Sequence, residues 1–178
     1  MSKEDIRKQT KNELKDFFLA QGKKAFRAKQ VYEWLWQKGV GSFDEMTNLS
    51  KDDRQILKNK FDIKPILLKD EQRSSDGTIK CAFELYDGHL IESVLIPSAK
   101  RLTACISTQV GCQLGCSFCA TAKIPFKRNL EVGEIFDQVV YLNQLAEKHY
   151  QQHLSNIVYM GMGEPLNNYE NLIGSANI

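Results

Sequence analysis

The order of predicted elements in the last third of the sequence limits the folds that this chain can adopt. Residues 102–108 form a predicted strand, residues 131–148 a predicted amphipathic helix, and residues 156–160 a short apolar strand. The inner stripe of the helix consists of Ile135, Val139, Leu142 and Leu145. A strand–helix–strand order is typical of a parallel α/β sheet. Because one such unit cannot cover both faces of a parallel sheet, we expect more chain or a partner to complete it.

The first 62 residues show helical spacing in three segments. Thr10 and Glu13 match a capping box at the start of the first segment, the second covers about residues 27–38, and the third starts at Ser50. Their apolar residues recur at helical intervals, which predicts a small bundle. Tyr32, Trp34 and Trp36 could stack on bases, but their helical spacing favours core packing.

After Pro65 the pattern changes to the alternation of β-strands. Predicted strands over residues 66–73, 78–87 and 89–97 are separated by the turn signals Asp76-Gly77 and Asp87-Gly88, which indicates a β-meander. The third strand places Glu92 in a row with Leu90, Val94 and Ile96. An unpaired buried carboxylate would have a raised pKa, as catalytic carboxylates often do. The alternatives are that this face is wet or that Glu92 pairs with a cation.

Three of the five cysteines, Cys112, Cys116 and Cys119, lie within eight positions at C-x3-C-x2-C spacing. A structural zinc site usually takes four ligands from separated pairs, and here Cys105 is the nearby fourth candidate. Iron–sulfur clusters are held by closely spaced thiolates, and three would leave one iron open for another ligand. The spacing therefore favours an iron–sulfur cluster over zinc.

The charge pattern and the N-terminus bear on partners and compartment. The net charge of +2 is too small to prove a nucleic-acid partner, but residues 1–30 carry nine Lys and Arg, and residues 93–130 contain no acidic residue. Such basic zones could contact phosphates or could simply be solvated surface. The sequence starts without an apolar leader and has no apolar run of membrane-spanning length. We therefore expect a cytoplasmic protein with reduced thiols and no membrane partner.

The cysteine spacing, with Phe118 before the third cysteine, resembles the signature of radical S-adenosylmethionine enzymes, and Gly-Glu-Pro at 163–165 resembles their motif for the methionine amino group. Further segments resemble the RlmN family of adenine-C2 RNA methyltransferases. They are Phe-Arg-Ala-Lys-Gln-Val at 26–31, Phe-Asp-Glu-Met-Thr at 43–47, residues 72–80, Glu-Ser-Val-Leu-Ile-Pro at 92–97, Ser-Thr-Gln-Val-Gly-Cys at 107–112 and Met-Gly-Met-Gly-Glu-Pro at 160–165. The resemblance covers essentially this whole chain and about the first half of the family's length.

The resemblance implies an α/β fold in three parts. Residues 1–62 would be a helical accessory domain that binds RNA, residues 63–98 a β-meander connector, and residues 99–178 the first part of a radical S-adenosylmethionine α/β barrel. The implied activity is methylation of C2 of a specific adenosine in 23S ribosomal RNA and in transfer RNA. The implied partners are these RNAs and an electron donor such as flavodoxin or ferredoxin, acting with a monomeric enzyme.

The resemblance also implies roles for single residues. Cys112, Cys116 and Cys119 would bind a 4Fe–4S cluster, and Gly163 and Glu164 would bind S-adenosyl-L-methionine. Glu92 matches the general base, and Cys105 matches the cysteine that resolves a protein–RNA adduct through a transient disulfide. Arg128 and its neighbours are further expected RNA contacts.

The family resemblance also implies that an essential cysteine is missing from this chain, and the sequence leaves two other functions open. The methyl-accepting cysteine of the family would lie beyond Ile178, so we expect the 178-residue chain alone to be inactive. The alternatives are a Cfr-type enzyme that methylates C8 of adenosine and a non-catalytic, metal-bearing RNA-binding module.

Overall fold

The first elements of the structure, a computed structural model that describes residues 3–178, are short and follow local signals. Chain order gives β1 (Glu4–Asp5), α1 (Lys11–Ala20), α2 (Phe26–Trp36), α3 (Lys51–Lys60) and β2 (Phe61–Asp62). The capping box of α1 is confirmed, because Glu13 N–H donates to Thr10 Oγ over 3.2 Å and Thr10 N–H donates to the Glu13 carboxylate over 2.7 Å. All three predicted helices are present, with ends within two residues of those expected.

These elements form a compact unit that ends at Lys64. Its core consists of apolar side chains from all three helices, including Leu14, Phe18, Val31, Leu35 and Leu57. Trp36 is buried, as its spacing predicts, while Tyr32 and Trp34 are partly exposed. β1 and β2 pair in parallel, a contact between the two ends of the unit that local patterns do not predict.

The second compact unit starts at Pro65 and is built on one mixed sheet. Its elements are β3 (Leu67–Arg73), β4 (Ile79–Glu84), β5 (Leu90–Ser98), β6 (Arg101–Cys105), β7 (Gln109–Val110), β8 (Arg128–Asn129), α4 (Val132–Tyr150), β9 (Asn156–Val158) and α5 (Tyr169–Ala176). The main sheet has the order β3-β4-β5-β6-β9. The meander pairs are antiparallel and β6 pairs with β9 in parallel, so both the predicted meander and the predicted strand–helix–strand unit are confirmed.

The meander and the parallel unit share this sheet, since β5 and β6 are neighbouring strands. The second compact unit, Pro65–Ile178, therefore contains both the meander and the parallel unit. The fold is mixed α/β with a mostly antiparallel sheet.

The core of the second unit lies between this sheet and α4. Ile79, Cys81 and Phe83 are fully buried on one face of β4, as their alternation predicts. Ile135, Leu142 and Ala146 of α4 belong to the same hydrophobic cluster. No helix within residues 3–178 is long and apolar enough to span a membrane.

Candidate functional site

The cysteine-rich segment is a loop closed by a short stem. β7 and β8 form the stem, with Gln109 opposite Asn129 and Val110 opposite Arg128. Gly111 begins the loop at a φ of +71°, and a Cβ added there would lie 2.3 Å from the carbonyl oxygen of Pro125. Glycine is therefore required at this point, both for its conformation and for its lack of a side chain.

The three loop cysteines differ in their surroundings. Cys116 is exposed, whereas Cys112 and Cys119 are half-buried, and Leu114 N–H donates to Cys112 Sγ over 3.4 Å. Backbone hydrogen bonds from Ala122 and Thr121 lower the pKa of the Cys119 thiol. Because the thiolate is the form that binds metals, these N–H groups favour the binding form.

The donor set of this loop fits an iron–sulfur cluster in kind, because it offers three thiols from one short segment. The thiols are not gathered into one centre, since no group of three or more His, Cys, Asp or Glu side chains among the described residues is arranged to hold a metal ion. Their role as cluster ligands stays a prediction.

Glu92 and Cys105 lie on the same face of the sheet. Val94 is opposite Cys105 in the β5–β6 pair, and Glu92 is two residues from Val94, so all three side chains share a face. Ser93 points to the other face, where its hydroxyl donates to Gln138 of α4 over 2.7 Å. Glu92 and Cys105 therefore lie on the face opposite α4.

Glu92 lies on a solvent-exposed face and pairs with a cation, which are the two alternatives to an unpaired buried carboxylate. Its face is exposed at Leu90 and Ile96, and Lys80 Nζ lies 3.1 Å from Glu92 Oε1. Cys105 is half-buried, and this burial raises the pKa of its thiol despite an opposing hydrogen bond from the Met160 backbone. A protonated Cys105 thiol must lose its proton before it can act as a nucleophile.

Gly163 and Glu164 meet the stem of the cysteine loop at one buried side chain, Gln109. Glu164 N–H donates to Gln109 Oε1 over 2.9 Å, and Gln109 Nε2 donates to Asn129 Oδ1 of β8 over 2.8 Å. Gly163 has a φ of +98°, and a Cβ there would lie 2.5 Å from Gln109 Cβ. The structure thus brings the Gly-Glu-Pro segment against the base of the cysteine loop.

The chain is similar in sequence to known RNA methyltransferases. A profile of the ribosomal RNA large subunit methyltransferase N-terminal domain matches residues 5–63. The chain is 57% identical over 173 residues to a probable dual-specificity RNA methyltransferase RlmN of Cytophaga hutchinsonii and covers 47% of it. It is 55% identical over 178 residues to the protein of that name from Flavobacterium psychrophilum and covers 51% of it.

A solved structure gives the same result for the fold. The crystal structure of a radical SAM methyltransferase from Sphaerobacter thermophilus superposes with a TM-score of 0.85 at 39% identity, over 98% of this chain and 51% of the other. Along its whole length, the chain resembles the N-terminal part of RlmN-family proteins. It spans about half the length of the curated relatives that it matches.

Arg128, an expected RNA contact from its RlmN resemblance, is already engaged within the protein. Its NH1 and NH2 groups donate to the two carboxylate oxygens of Glu134 over 2.7 and 2.8 Å, and its Nε donates to Asp87 over 2.6 Å. Burial acts against the charged form, but the hydrogen bonds to Glu134 and Asp87 outweigh it and raise the pKa of Arg128. The Arg128 guanidinium is thus held by two carboxylates of the protein at the end of the cysteine loop.

Several residues of this candidate site escape prediction from the sequence. Ser107, Gln109, Gln138 and Asn168 are buried polar residues that hold the loop segments together. Gln138 carries a usable signal, because it lies three residues after Ile135 and four before Leu142, within the apolar stripe of α4. A polar side chain in such a stripe must find buried partners, and this one bonds to Ser93 and Ser107.

Proposed function

We propose that this chain takes part in methylation of C2 of a specific adenosine in 23S ribosomal RNA and in transfer RNA by radical S-adenosylmethionine chemistry. The observation that carries the proposal is the meeting of two motifs at Gln109, which bonds to both Glu164 and Asn129. A cluster site at the cysteine loop and a methionine site at Gly163 and Glu164 would then be neighbours. The names of the relatives support the substrate class, because they describe RNA methyltransferases.

Cys112, Cys116 and Cys119 would hold a 4Fe–4S cluster in this proposal, and Gly163 with Glu164 would bind the amino group of S-adenosylmethionine. Together the two cofactors supply radical chemistry, which can act at adenine C2, a poor nucleophile. The hydrogen bonds to the Cys119 thiol would help to keep that ligand deprotonated.

Glu92 is the proposed general base, and its carboxylate would take the proton from C2 of the adenine. Lys80 is its present partner at 3.1 Å, and both side chains are substantially exposed, so the ion pair is weak enough to open. Cys105 is the proposed resolving cysteine. Its thiolate would attack the sulfur of the methyl-accepting cysteine that links the protein to the RNA. A transient disulfide would form as the carbon–sulfur bond breaks, and the electron pair of that bond would pass to the released RNA, which takes up a proton. Flavodoxin or ferredoxin is the proposed class of electron donor.

The metal content of the chain tests the first part of the proposal. After anaerobic purification and reconstitution with iron and sulfide, we expect a brown protein with about four irons and four sulfides per chain. Cys112→Ala, Cys116→Ala and Cys119→Ala should each lose this cluster. Cys105→Ala is the matched control, because it removes a half-buried thiol outside the loop. A colourless wild-type protein that binds zinc would contradict the proposal.

The position of the methyl group tests the second part. The full-length gene product is incubated with unmodified RNA, and the modified adenosine is identified by liquid chromatography and mass spectrometry against C2- and C8-methyladenosine standards, which have the same mass but different retention times. Glu92→Gln should lower product formation by about 100-fold or more, as expected for loss of a general base. Glu84→Gln is the control, since Glu84 also lies on this face of the sheet and also pairs with a lysine, Lys69. Equal activity of the two variants would rule out the role of Glu92.

A further inference from the structure

Ser107 lies where the chain leaves the main sheet to enter the cysteine-loop stem. The β5–β6 register places Val94 opposite Cys105, and its continuation by two residues places Ser107 opposite Glu92. The strand pairing has ended by this point, because the Ser107 backbone bonds to α4 instead. Its N–H donates to Gln138 Oε1 over 2.8 Å, and its carbonyl accepts from Gln138 Nε2 over 3.1 Å.

The hydroxyl of Ser107 joins the segments on its two sides. It donates to the backbone carbonyl of Glu92 over 2.6 Å and accepts from the backbone N–H of Met162 over 2.8 Å. Ser107 is fully buried, so water does not compete for these bonds. The Ser107 hydroxyl donates one hydrogen bond and accepts another. It therefore connects the strand that carries Glu92 to the segment that precedes Gly163 and Glu164.

The packing around this hydroxyl leaves little freedom. Gly161 lies directly against it, since a Cβ built at Gly161 would lie 2.7 Å from Ser107 Oγ. Gly161 N–H also donates to the Ile106 carbonyl over 3.0 Å. Thr108 N–H and Gln109 N–H also donate to the Met162 carbonyl, over 2.9 and 3.2 Å. The approach of residues 161–162 to Ser107 is thus defined by these backbone bonds, by the Ser107 hydroxyl and by the absence of a side chain at residue 161.

We infer that Ser107 is a positioning residue that couples the backbone of Glu92 to the backbone presenting Gly163 and Glu164. This inference rests on the proposed function, in which Glu92 acts on the RNA base while Gly163 and Glu164 hold the cofactor. Ser107 touches neither reactant and acts through the two segments that it joins. Its loss should therefore affect both cofactor binding and the chemical step.

Ser93 provides a matched control for Ser107. It is also a buried serine, and it donates to the same Gln138 Oε1, over 2.7 Å. Its hydroxyl bonds to α4 rather than to Met162, so Ser93→Ala removes a buried hydrogen bond of this network and leaves the link between Glu92 and Met162 in place. A role for Ser107 limited to stability predicts the same behaviour in both variants.

The test is a kinetic comparison in the full-length, anaerobically reconstituted gene product. Small displacements of reacting groups reduce rates by up to about 100-fold, so Ser107→Ala should raise KM for S-adenosylmethionine and lower kcat, each by about 10-fold. Ser93→Ala should change both by less than about twofold. Ser107→Cys, which keeps a weaker donor and acceptor on a somewhat larger side chain, should shift both constants in the same direction by less, and it replaces the alanine variant if that fails to fold.

A double-mutant cycle separates positioning from stability. In a Glu92→Gln background, Ser107→Ala should reduce kcat by clearly less than in the wild type, because part of its effect acts through Glu92. Kinetic constants for Ser107→Ala that match those of Ser93→Ala, or fully additive effects with Glu92→Gln, would overturn the inference. A wild-type protein that carries its cluster but forms no methylated adenosine would instead refute the proposed function, and the inference with it.

Discussion

Gly163 occupies a position that a larger residue can fill only by displacing Gln109. Its φ of +98° is unfavourable for side chains with a Cβ, and that Cβ would lie 2.5 Å from Gln109 Cβ. We expect Gly163→Ala to lower the free energy of unfolding by about 1–3 kcal/mol, measured by urea denaturation. Gly115→Ala is the control, because it lies in open space within the cysteine loop and should change stability by less than about 0.5 kcal/mol. Equal stabilities of the two variants would contradict the strain at Gly163.

The two cysteines outside the loop should differ in their reactivity. Burial raises the pKa of Cys81 to about 12, and nearby carboxylates contribute to the increase. Burial also raises the pKa of Cys105, which is only half-buried. Since a higher pKa leaves less thiolate at a given pH, both should react more slowly with iodoacetamide at pH 8 than a free thiol does.

Cys81 should remain unmodified in the folded protein, while Cys105 should be alkylated slowly, at a rate that increases as the pH rises through 8 and 9. Peptide mass spectrometry of timed samples measures both rates, and a sample unfolded in urea is the control in which the difference disappears. Rapid alkylation of Cys81 without unfolding would show that the core of the sheet is open.

At the scale of elements, Arg128 connects the end of the cysteine loop to the start of α4 through its ion pair with Glu134. Its partner Glu134 is almost fully buried, and Glu134 also accepts a hydrogen bond from Glu131 N–H over 2.9 Å. Arg128→Gln would leave this carboxylate without its cation, so we expect the free energy of unfolding to fall by about 2 kcal/mol. Urea denaturation measures this loss.

Two further variants test the interpretation of Arg128. Because Arg128→Gln with Glu134→Gln removes the unpaired charge, the double variant should recover part of the lost stability. Lys80→Gln breaks the exposed pair with Glu92 and should change stability by less than about 0.5 kcal/mol. A small effect of Arg128→Gln, together with a large loss of RNA affinity, would favour the RNA contact expected from sequence.

The elements differ in how well the sequence predicts them, and the difference follows the range of the interactions involved. The capping box of Thr10 and the alternation in β4 act within a few residues, and both are confirmed in the structure. The β7–β8 stem has two residues on each side and is held by contacts such as Gln109 to Asn129, 20 residues apart. Such short strands have no periodic pattern to detect.

The same limit applies to the candidate site. The cysteine spacing and the Gly-Glu-Pro segment are visible as motifs because each lies within a few residues of sequence. The bonds of Ser107 reach Gln138 and Met162, which lie 31 and 55 residues away. Nothing in the local pattern around Ser107 indicates these partners, so its position in the site emerges only from the fold.

At the scale of the whole molecule, charge is divided unequally between the two compact units. Residues 1–64 carry 15 Lys and Arg against 10 Asp and Glu, a net charge of +5. Residues 65–178 carry 9 against 12, a net charge of −3. The overall charge of +2 therefore conceals a basic first unit, which favours contact with phosphates, and an acidic second unit that carries the candidate site.

This division predicts that a fragment of residues 1–64 folds and binds RNA by itself. Its three helices share a buried core, and domains of this size often fold independently. We expect a helical circular dichroism spectrum with a cooperative thermal transition. We also expect RNA affinity that falls steeply between 50 and 200 mM salt, as when Lys and Arg displace counterions. A fragment of residues 65–178 is the control, and its net negative charge should make its binding much weaker. Stronger binding by that second fragment would move the main phosphate contacts away from the first unit and towards the basic zone beside the cysteine loop.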